Sequence, residues 1–446
     1  MFKKVLIANR GEIALRVIYA CRELDISTVA VYSEADQEAR HVQFADQAVC
    51  IGPAPPLDSY LSLPAIISAA QVTGSDAIHP GYGFLSEAPA LADAAAARGI
   101  TFIGPPAEVL RLLGDKCHAR LAMEQAGLSV LPGTAEPPVT LSGALEAAQR
   151  LAYPLIIKAS AGGGGRGMRV VHDGTGIEQA WGTAEREATA AFGDGTLYLE
   201  QFLEAPRHVE FQVLADNQGH VVHLGERECS IQHRHQKLLE ESPSVAISDR
   251  RRRTLGEMVV AAARAIGYRN AGTFEFLVDD QAEFYFLEVN TRLQVEHPVT
   301  EMVAGVDIVK EQIRIAAGES LSFGQEDVVM RGHAIECRIN AESPSTLRPS
   351  PGKISVFDMP GGPGIRVDTA ACADSIISPW YDSLVAKLVA HGRDRTEAIA
   401  RMRRALDMTV IEGIETTLPM HRRILEDPDF VEGQLDTTFV ERFIDS

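Results

Sequence analysis

The chain has 446 residues, of which 46% are hydrophobic and 23% charged, with a formal net charge of −19. This is the composition of a soluble globular protein with ample material for a core; at roughly 150 residues per domain it predicts about three domains. The negative charge and the lack of a long Lys/Arg run argue against nucleic-acid binding, so an anionic ligand must be held by local positive charge.

Six scattered cysteines without a CxxC pair read as reduced thiols. The N-terminus offers only four apolar residues before Asn9 and Arg10, too few for a signal-peptide core, and no stretch approaches ~18 apolar residues. The expectation is a cytoplasmic protein without a membrane segment.

KKVLIA (3–8) predicts a buried strand, NRGE a turn, IALRVIYACREL (13–24) a helix and STVAVYS (27–33) a second strand, which together make a βαβ start. DAIHPGYGFLSE (76–87) and TFIGPP (101–106) repeat the strand-then-breaker pattern, so residues 1–114 read as a parallel α/β unit. LPGTAEPPV (131–139) reads as a linker into a small lobe over about 131–204, containing LIIKAS, a glycine run, MRVV, a long helix and TLYLEQFL. That lobe belongs to a central region, 115–325, which continues with strands and helices and closes on TFEFLVDD and AEFYFLEVN. A third region, 330–446, opens on RGHAIECRINAE and carries the helix TEAIARMRRALDM (396–408).

ASAGGGGRGMR (159–169) satisfies GxGxxG, but a strand-like MRVV follows instead of the helix a dinucleotide fingerprint requires. Consecutive glycine N–H groups can converge on a phosphate, so the run reads as a mobile lid over nucleotide phosphates. Lys158 feeds it and Lys116 opens the preceding segment. ERECSIQHRHQK (226–237) reads as a loop-like, anion-holding stretch with Lys237 as a point charge. In RHVEFQV, His208, Glu210 and Gln212 share one face of a strand.

The sharpest signal is LEVNTRLQVEHP (287–298), in which Glu288, Asn290, Arg292, Gln294 and Glu296 alternate with less polar residues. TFEFLV and EFYFLEVN predict a hairpin in which Glu275 pairs with Phe286 and lies diagonal to Glu288, roughly 7–8 Å away. Two carboxylates so placed call for a divalent cation, Mg²⁺ or Mn²⁺, with Asn290 adding a carbonyl oxygen. Arg292 beyond them suits a small planar anion, and Glu296 is placed as a general base. His297-Pro298 is expected to end the strand.

These motifs, with IANRGEIALR (7–16), HPGYGFLSE (79–87), GDK (114–116), GTFEFL (272–277), EVNTRLQVEHPVTE (288–301), RGHAIECRINAE (331–342) and PSPGKI (349–354), resemble biotin carboxylase over essentially the whole chain. The resemblance implies the ATP-grasp fold: an N-terminal parallel α/β domain, a central ATP-grasp domain with a mobile glycine-rich lid, and a C-terminal domain. It implies that Lys116, Lys158, Gly164, Gly165 and His208 meet ATP phosphates or ribose. Glu200, Gln201, Phe202 and Leu203 would hold adenine, and His235 would join the nucleotide site. Glu275, Glu288 and Asn290 would bind Mg²⁺ or Mn²⁺. Lys237, Arg292, Gln294 and the Val295 backbone would hold bicarbonate, Glu296 would deprotonate it, and Arg338 would stabilise the biotin enolate. Ala161 and His233 are small departures from the commonest family pattern.

No Met-Lys or Lys-Met pair, the mark of a biotinylated lysine, occurs in the chain. The expected protein is a biotin carboxylase subunit of acetyl-CoA carboxylase. It would be a homodimer that acts on biotin carried by a separate biotin carboxyl carrier protein and works with a carboxyltransferase. The alternatives are a subunit serving propionyl-CoA, another acyl-CoA or pyruvate, and an ATP-grasp ligase with a different acceptor.

Overall fold

The computed structural model describes every residue except 135, 139, 161–166 and 445–446, and residue 192 by its backbone alone. The glycine-run reading, including Gly164 and Gly165, therefore lies outside the described residues.

Residues 1–110 build a five-stranded parallel sheet from β1 (Lys4–Ile7), β2 (Ser27–Ser33), β3 (Gln47–Gly52), β4 (Ala77–His79) and β5 (Thr101–Phe102), in the order β3-β2-β1-β4-β5. Val5, Leu6 and Ile7 are fully buried, as expected of a central parallel strand covered on both faces. The strand order reverses at β1, and in such sheets a crevice opens at the carboxyl ends of the strands. The two loops that leave there are tied together: Asn9 Nδ2 donates to the carbonyls of Pro80 and Tyr82, both at 2.7 Å. Gly81 makes this approach possible. Its φ is +63°, and a Cβ there would meet Asn9 Nδ2 at 2.9 Å.

The lobe carries β6 (Leu155–Ala159), β7 (Arg169–Val171) and β8 (Leu197–Gln201), ordered β7-β6-β8 and antiparallel. The glycine run is thus flanked by a strand on each side, β6 before it and β7 after it. The helix Ile177–Phe192 packs on this sheet through Trp181, Ala184 and Ala188.

The central and C-terminal regions are not separate sheets. β9 (Arg207–Ala215), β10 (Val221–His233), β11 (Gln236–Ser242), β12 (Asn270–Val278), β13 (Phe284–Asn290) and β14 (His333–Asn340) continue into the C-terminal strands. These are β15 (Gly352–Lys353), β16 (Val356–Asp358), β17 (Ile365–Thr369), β18 (Ile376–Ile377), β19 (Leu384–Gly392) and β20 (Val410–Glu412). One eight-stranded antiparallel sheet runs β13-β12-β9-β10-β11-β14-β19-β17, so the β11–β14 pairing joins the two regions. The helix Arg395–Met408 covers its C-terminal half through Ile399, Met402 and Leu406. The N-terminal helix Gly11–Glu23 packs against Leu214, Val222 and Leu293 of the central region. Among the described residues no helix is long and apolar enough to cross a membrane.

Three local expectations are corrected. ERECSIQHRHQK is not a loop. It is the end of β10, a two-residue turn and the start of β11, and Arg234 and His235 both take positive φ (49° and 64°), as a tight hairpin turn of this length requires. Glu275 is the direct partner of Glu288, not its diagonal neighbour, because the register shifts by a bulge between Glu275 and Phe276. The strand also ends at Asn290, before the polar row is complete. The next N–H, of Thr291, donates to Glu87 Oε1 (3.1 Å) instead of to a neighbouring strand. His297-Pro298 begins the helix His297–Ala304, where proline's fixed φ suits the first turn.

Candidate active site

Arg292, Gln294 and Glu296 cannot share a strand face, because they lie in the irregular stretch between β13 and the next helix. They nevertheless converge on the same place as Glu275 and Asn290. Arg292 Nη2 donates to Asn290 Oδ1 (3.0 Å) and its Nη1 to Gln294 Oε1 (3.1 Å). Gln294 Nε2 and Asn290 Nδ2 both donate to Glu275 Oε1, at 3.1 and 2.7 Å. A loop crossing back over the sheet does what the period of two was expected to do.

Lys237 is the hub. Its ammonium reaches Glu210 Oε2 (2.5 Å), Glu296 Oε1 (2.6 Å) and Glu275 Oε1 (3.0 Å). Arg338, projecting from β14, donates to Glu240 Oε1 (2.6 Å) and Glu296 Oε2 (2.9 Å). Glu296 is fully buried between these two cations. Burial alone would push its carboxyl up; the Lys237 ammonium, helped by Arg338, holds it below the usual carboxylate range. Glu275 behaves likewise: burial raises it, and Lys237 and His208 more than reverse that. The same three carboxylates hold Lys237 firmly protonated against its own burial. The site therefore holds charged acids and charged bases together in a dry place, where each is worth more than in water.

The nucleotide candidates line the neighbouring edge. Lys158 is buried and pairs with Glu200 Oε2 at 2.5 Å, while Arg120 takes Glu200 Oε1 at 2.6 Å. The Glu200 side chain is thus committed to two cations, and its backbone is paired with Ile156 of β6. The N–H groups of Gln201 and Phe202 are bonded to the carbonyls of Pro132 and Pro154; Leu203 follows them, half-buried. Lys116 opens the helix Lys116–Gln125, with Nζ 3.9 Å from Glu288 Oε2. His208 Nε2 meets Glu275 Oε2 at 2.9 Å. His235, exposed on the hairpin turn, is lowered by partial burial and by Lys158, His208 and Lys116, which places it among the same cations.

The donor set suits a hard divalent cation in part. Glu275 and Glu288 are cross-strand partners, and Glu288 remains half-exposed. Asn290, as oriented, shows its nitrogen to Glu275 and its oxygen to Arg292, so it would have to rotate to serve as a ligand. His208, Glu210 and Glu275 also offer atoms within 4.8 Å of one another.

Several residues of this network were given no role from the sequence. Glu87, at the end of HPGYGFLSE, grips Arg292 Nε at 3.0 Å, so the N-terminal region anchors the anion clamp. Glu210 and Arg227 are fully buried, with Arg227 Nε on Glu210 Oε1 at 2.5 Å and its other nitrogens on Gln212, Thr273 and Thr300. The sequence placed Arg227 in a loop-like, anion-holding stretch and gave it no role of its own. Lys387, also fully buried, donates to the Val295 carbonyl (3.0 Å) and pairs with Glu12 (3.0 Å). His297 is held neutral by burial and by Lys387, Arg16 and Arg366, and its Nδ1 meets the Gln294 carbonyl at 2.8 Å. Both contacts fix the loop that carries Gln294, Val295 and Glu296.

Arg227→Met should cost about 3–5 kcal/mol of folding stability, because it strips Glu210 of a fully buried partner. Denaturant unfolding measures this; a loss under about 1 kcal/mol would mean that the pair is not load-sharing with Lys237.

Comparison with known proteins follows the same lines. Residues 1–110 match the family model "Biotin carboxylase, N-terminal domain", 115–323 match "Carbamoyl-phosphate synthase L chain, ATP binding domain", and 336–442 match "Biotin carboxylase C-terminal domain". The chain is 55% identical over 445 residues to a biotin carboxylase of Allochromatium vinosum, covering 100% of this chain and 99% of that one. It superposes on a biotin carboxylase–beta-gamma-ATP complex from Campylobacter jejuni with a TM-score of 0.97, 48% identity and 99% of each chain covered. It also superposes on the biotin carboxylase domain dimer of Hydrogenobacter thermophilus 2-oxoglutarate carboxylase, in complex with MgADP, ADP and bicarbonate. There the TM-score is 0.97 and the identity 50%, with 99% of this chain and 98% of that one covered. A carboxylate row folded back onto a lysine hub, on a sheet shared by the central and C-terminal regions, is accordingly the site of a chain that belongs to the biotin carboxylase family and adopts its ATP-grasp fold.

Proposed function

We propose that the chain carboxylates biotin with ATP and bicarbonate, and that the Lys237–Glu296–Arg338 cluster is where bicarbonate is activated. The observation that carries this is a fully buried carboxylate, Glu296, held charged between two cations beside an arginine–glutamine clamp. Lys237, Arg292, Gln294 and the Val295 backbone hold bicarbonate. Glu296 removes its proton, since its own carboxyl is unprotonated at neutral pH. The oxyanion attacks the γ-phosphorus of ATP; ADP leaves, and carboxyphosphate forms. Its breakdown yields CO₂ and phosphate, and the phosphate takes the ureido N1 proton of biotin. Arg338 steadies the resulting enolate, which captures CO₂.

Lys116, Lys158, Gly164, Gly165, His208 and His235 surround the nucleotide phosphates and ribose, and the Glu200–Leu203 backbone takes adenine. Glu275 and Glu288, with Asn290 rotated, would hold Mg²⁺ or Mn²⁺, which when bound spreads phosphoryl charge. The three units are 1–114, 115–325 with its lid lobe at about 131–204, and 330–446.

Beyond this core activity, the reading extends to a cytoplasmic homodimer that supplies acetyl-CoA carboxylase, with biotin on a separate carrier protein and a carboxyltransferase partner. The dimer in the Hydrogenobacter structure supports the oligomeric part. That protein's 2-oxoglutarate carboxylase identity also keeps a different final acceptor in play. Release of ADP should require bicarbonate and rise with free biotin; ADP release indifferent to both would overturn the proposal.

A further inference from the structure

Behind Arg338 lies a second buried carboxyl pair that the reaction scheme does not use. Glu240 on β11 and Glu336 on β14 are direct cross-strand partners, and both are fully buried. Direct partners in an antiparallel ladder place their side chains side by side on one face. Glu240 Oε1 accepts from Arg338, while its Oε2 has no partner among the described residues. Both oxygens of Glu336 are likewise without a partner. Three orphaned carboxylate oxygens on adjacent buried residues are costly if both groups are ionised, and neutralising one of them is the cheaper escape.

We infer that Glu336 is a positioning residue that carries a proton and donates it to Oε2 of Glu240, so that Glu240 stays ionised beneath Arg338. This rests on the reading of Arg338 as the group that meets biotin. The charged groups that face the pair are Arg338, Glu296 and Lys237 on the side of the site, and Lys387 and Asp368 behind it. The helix that begins at His297 packs on β14; its ionisable groups are the neutral His297 imidazole and Glu301, which is paired with Arg16 and Arg366. Burial drives Glu336 well above the usual carboxylate range, and Lys387 does not reverse this. Glu240 is pushed up to about 7, again chiefly by burial, with Arg338 opposing. A donor on Oε2 favours the charged form of Glu240, so loss of that donor lets Glu240 protonate and release Arg338.

Two measurements test this. Infrared spectra at pH 7 should show a protonated carboxylic acid carbonyl band in the wild type that Glu336→Gln removes; this arm does not depend on biotin turnover, so its failure is separable from failure of the Arg338 reading. In kinetics with free biotin, Glu336→Leu should move the acid limb of kcat/KM up by about one pH unit, and Glu336→Gln, which can still donate to Glu240, should move it back. Absence of a band that Glu336→Gln removes, an unmoved limb in folded Glu336→Leu, or no rescue by Glu336→Gln would each overturn the inference. If Glu336→Leu does not fold, the infrared comparison alone decides.

Discussion

Glu296→Gln is expected to lower bicarbonate-dependent turnover by about 10²–10⁴-fold, the range for loss of a general base, while ATP affinity is unchanged. The substitution keeps the volume of a fully buried side chain. It removes the one property that the geometry maintains there, a charged carboxylate held between Lys237 and Arg338. The nucleotide candidates Lys116, Lys158 and His235 make no contact with Glu296, so ATP binding should not sense the change. Single-turnover ADP release with and without bicarbonate, alongside calorimetric ATP binding, measures both halves. Turnover within tenfold of the wild type would place the base elsewhere.

Lys237→Met should have a broader effect: about 10³-fold lower kcat/KM for bicarbonate, on the scale of losing a preorganised charge from the site, and about 3–5 kcal/mol of stability. The methionine fills the space, but Glu210, Glu275 and Glu296 lose the ammonium that all three share. The pH dependence of stability should also change sign. In the wild type all three carboxyls are held below their unfolded values. Their contribution is therefore fully present above roughly pH 4.3, the ordinary glutamate value, and is lost only as pH falls through the lower folded values. Without Lys237, burial and mutual repulsion raise at least one of them. A raised carboxyl contributes stability at low pH and loses it as pH climbs through the folded value. The variant should thus gain stability between neutrality and about pH 5, where these groups leave the wild type flat. Urea midpoints across that range decide it; a variant curve parallel to the wild type would mean that the three acids are not coupled through Lys237.

Much of the architecture was readable because it rests on local signals. Buried apolar runs followed by Gly/Pro breakers marked β1, β4 and β5, and a DDQA turn between two aromatic-rich runs marked the β12–β13 hairpin. The site was readable as a set of residues but not as a shape. Alternation from Glu288 to Glu296 suggested one continuous face, yet the Thr291 N–H is captured by Glu87, some 200 residues earlier in the chain, and the strand stops. No local pattern reports so distant a partner. The roles of Glu210, Arg227, Glu240 and Lys387 were missed for a related reason. Period-two spacing shows that alternate residues share a face, not that both faces are covered, and a charged residue is ordinarily taken as exposed. Here the eight-stranded sheet is covered on both sides around the site, and the charges compensate one another inside it.

The most direct test follows the oxygen atoms. If bicarbonate, deprotonated at Glu296, attacks the γ-phosphorus, one of its oxygens must remain with phosphorus when carboxyphosphate breaks to CO₂ and phosphate. With ¹⁸O-labelled bicarbonate, MgATP and free biotin, the released phosphate should carry one labelled oxygen per turnover. Phosphate with no label, released while ATP is consumed, would show that water or another nucleophile attacks instead and would contradict the role given to the Lys237–Glu296–Arg338 cluster.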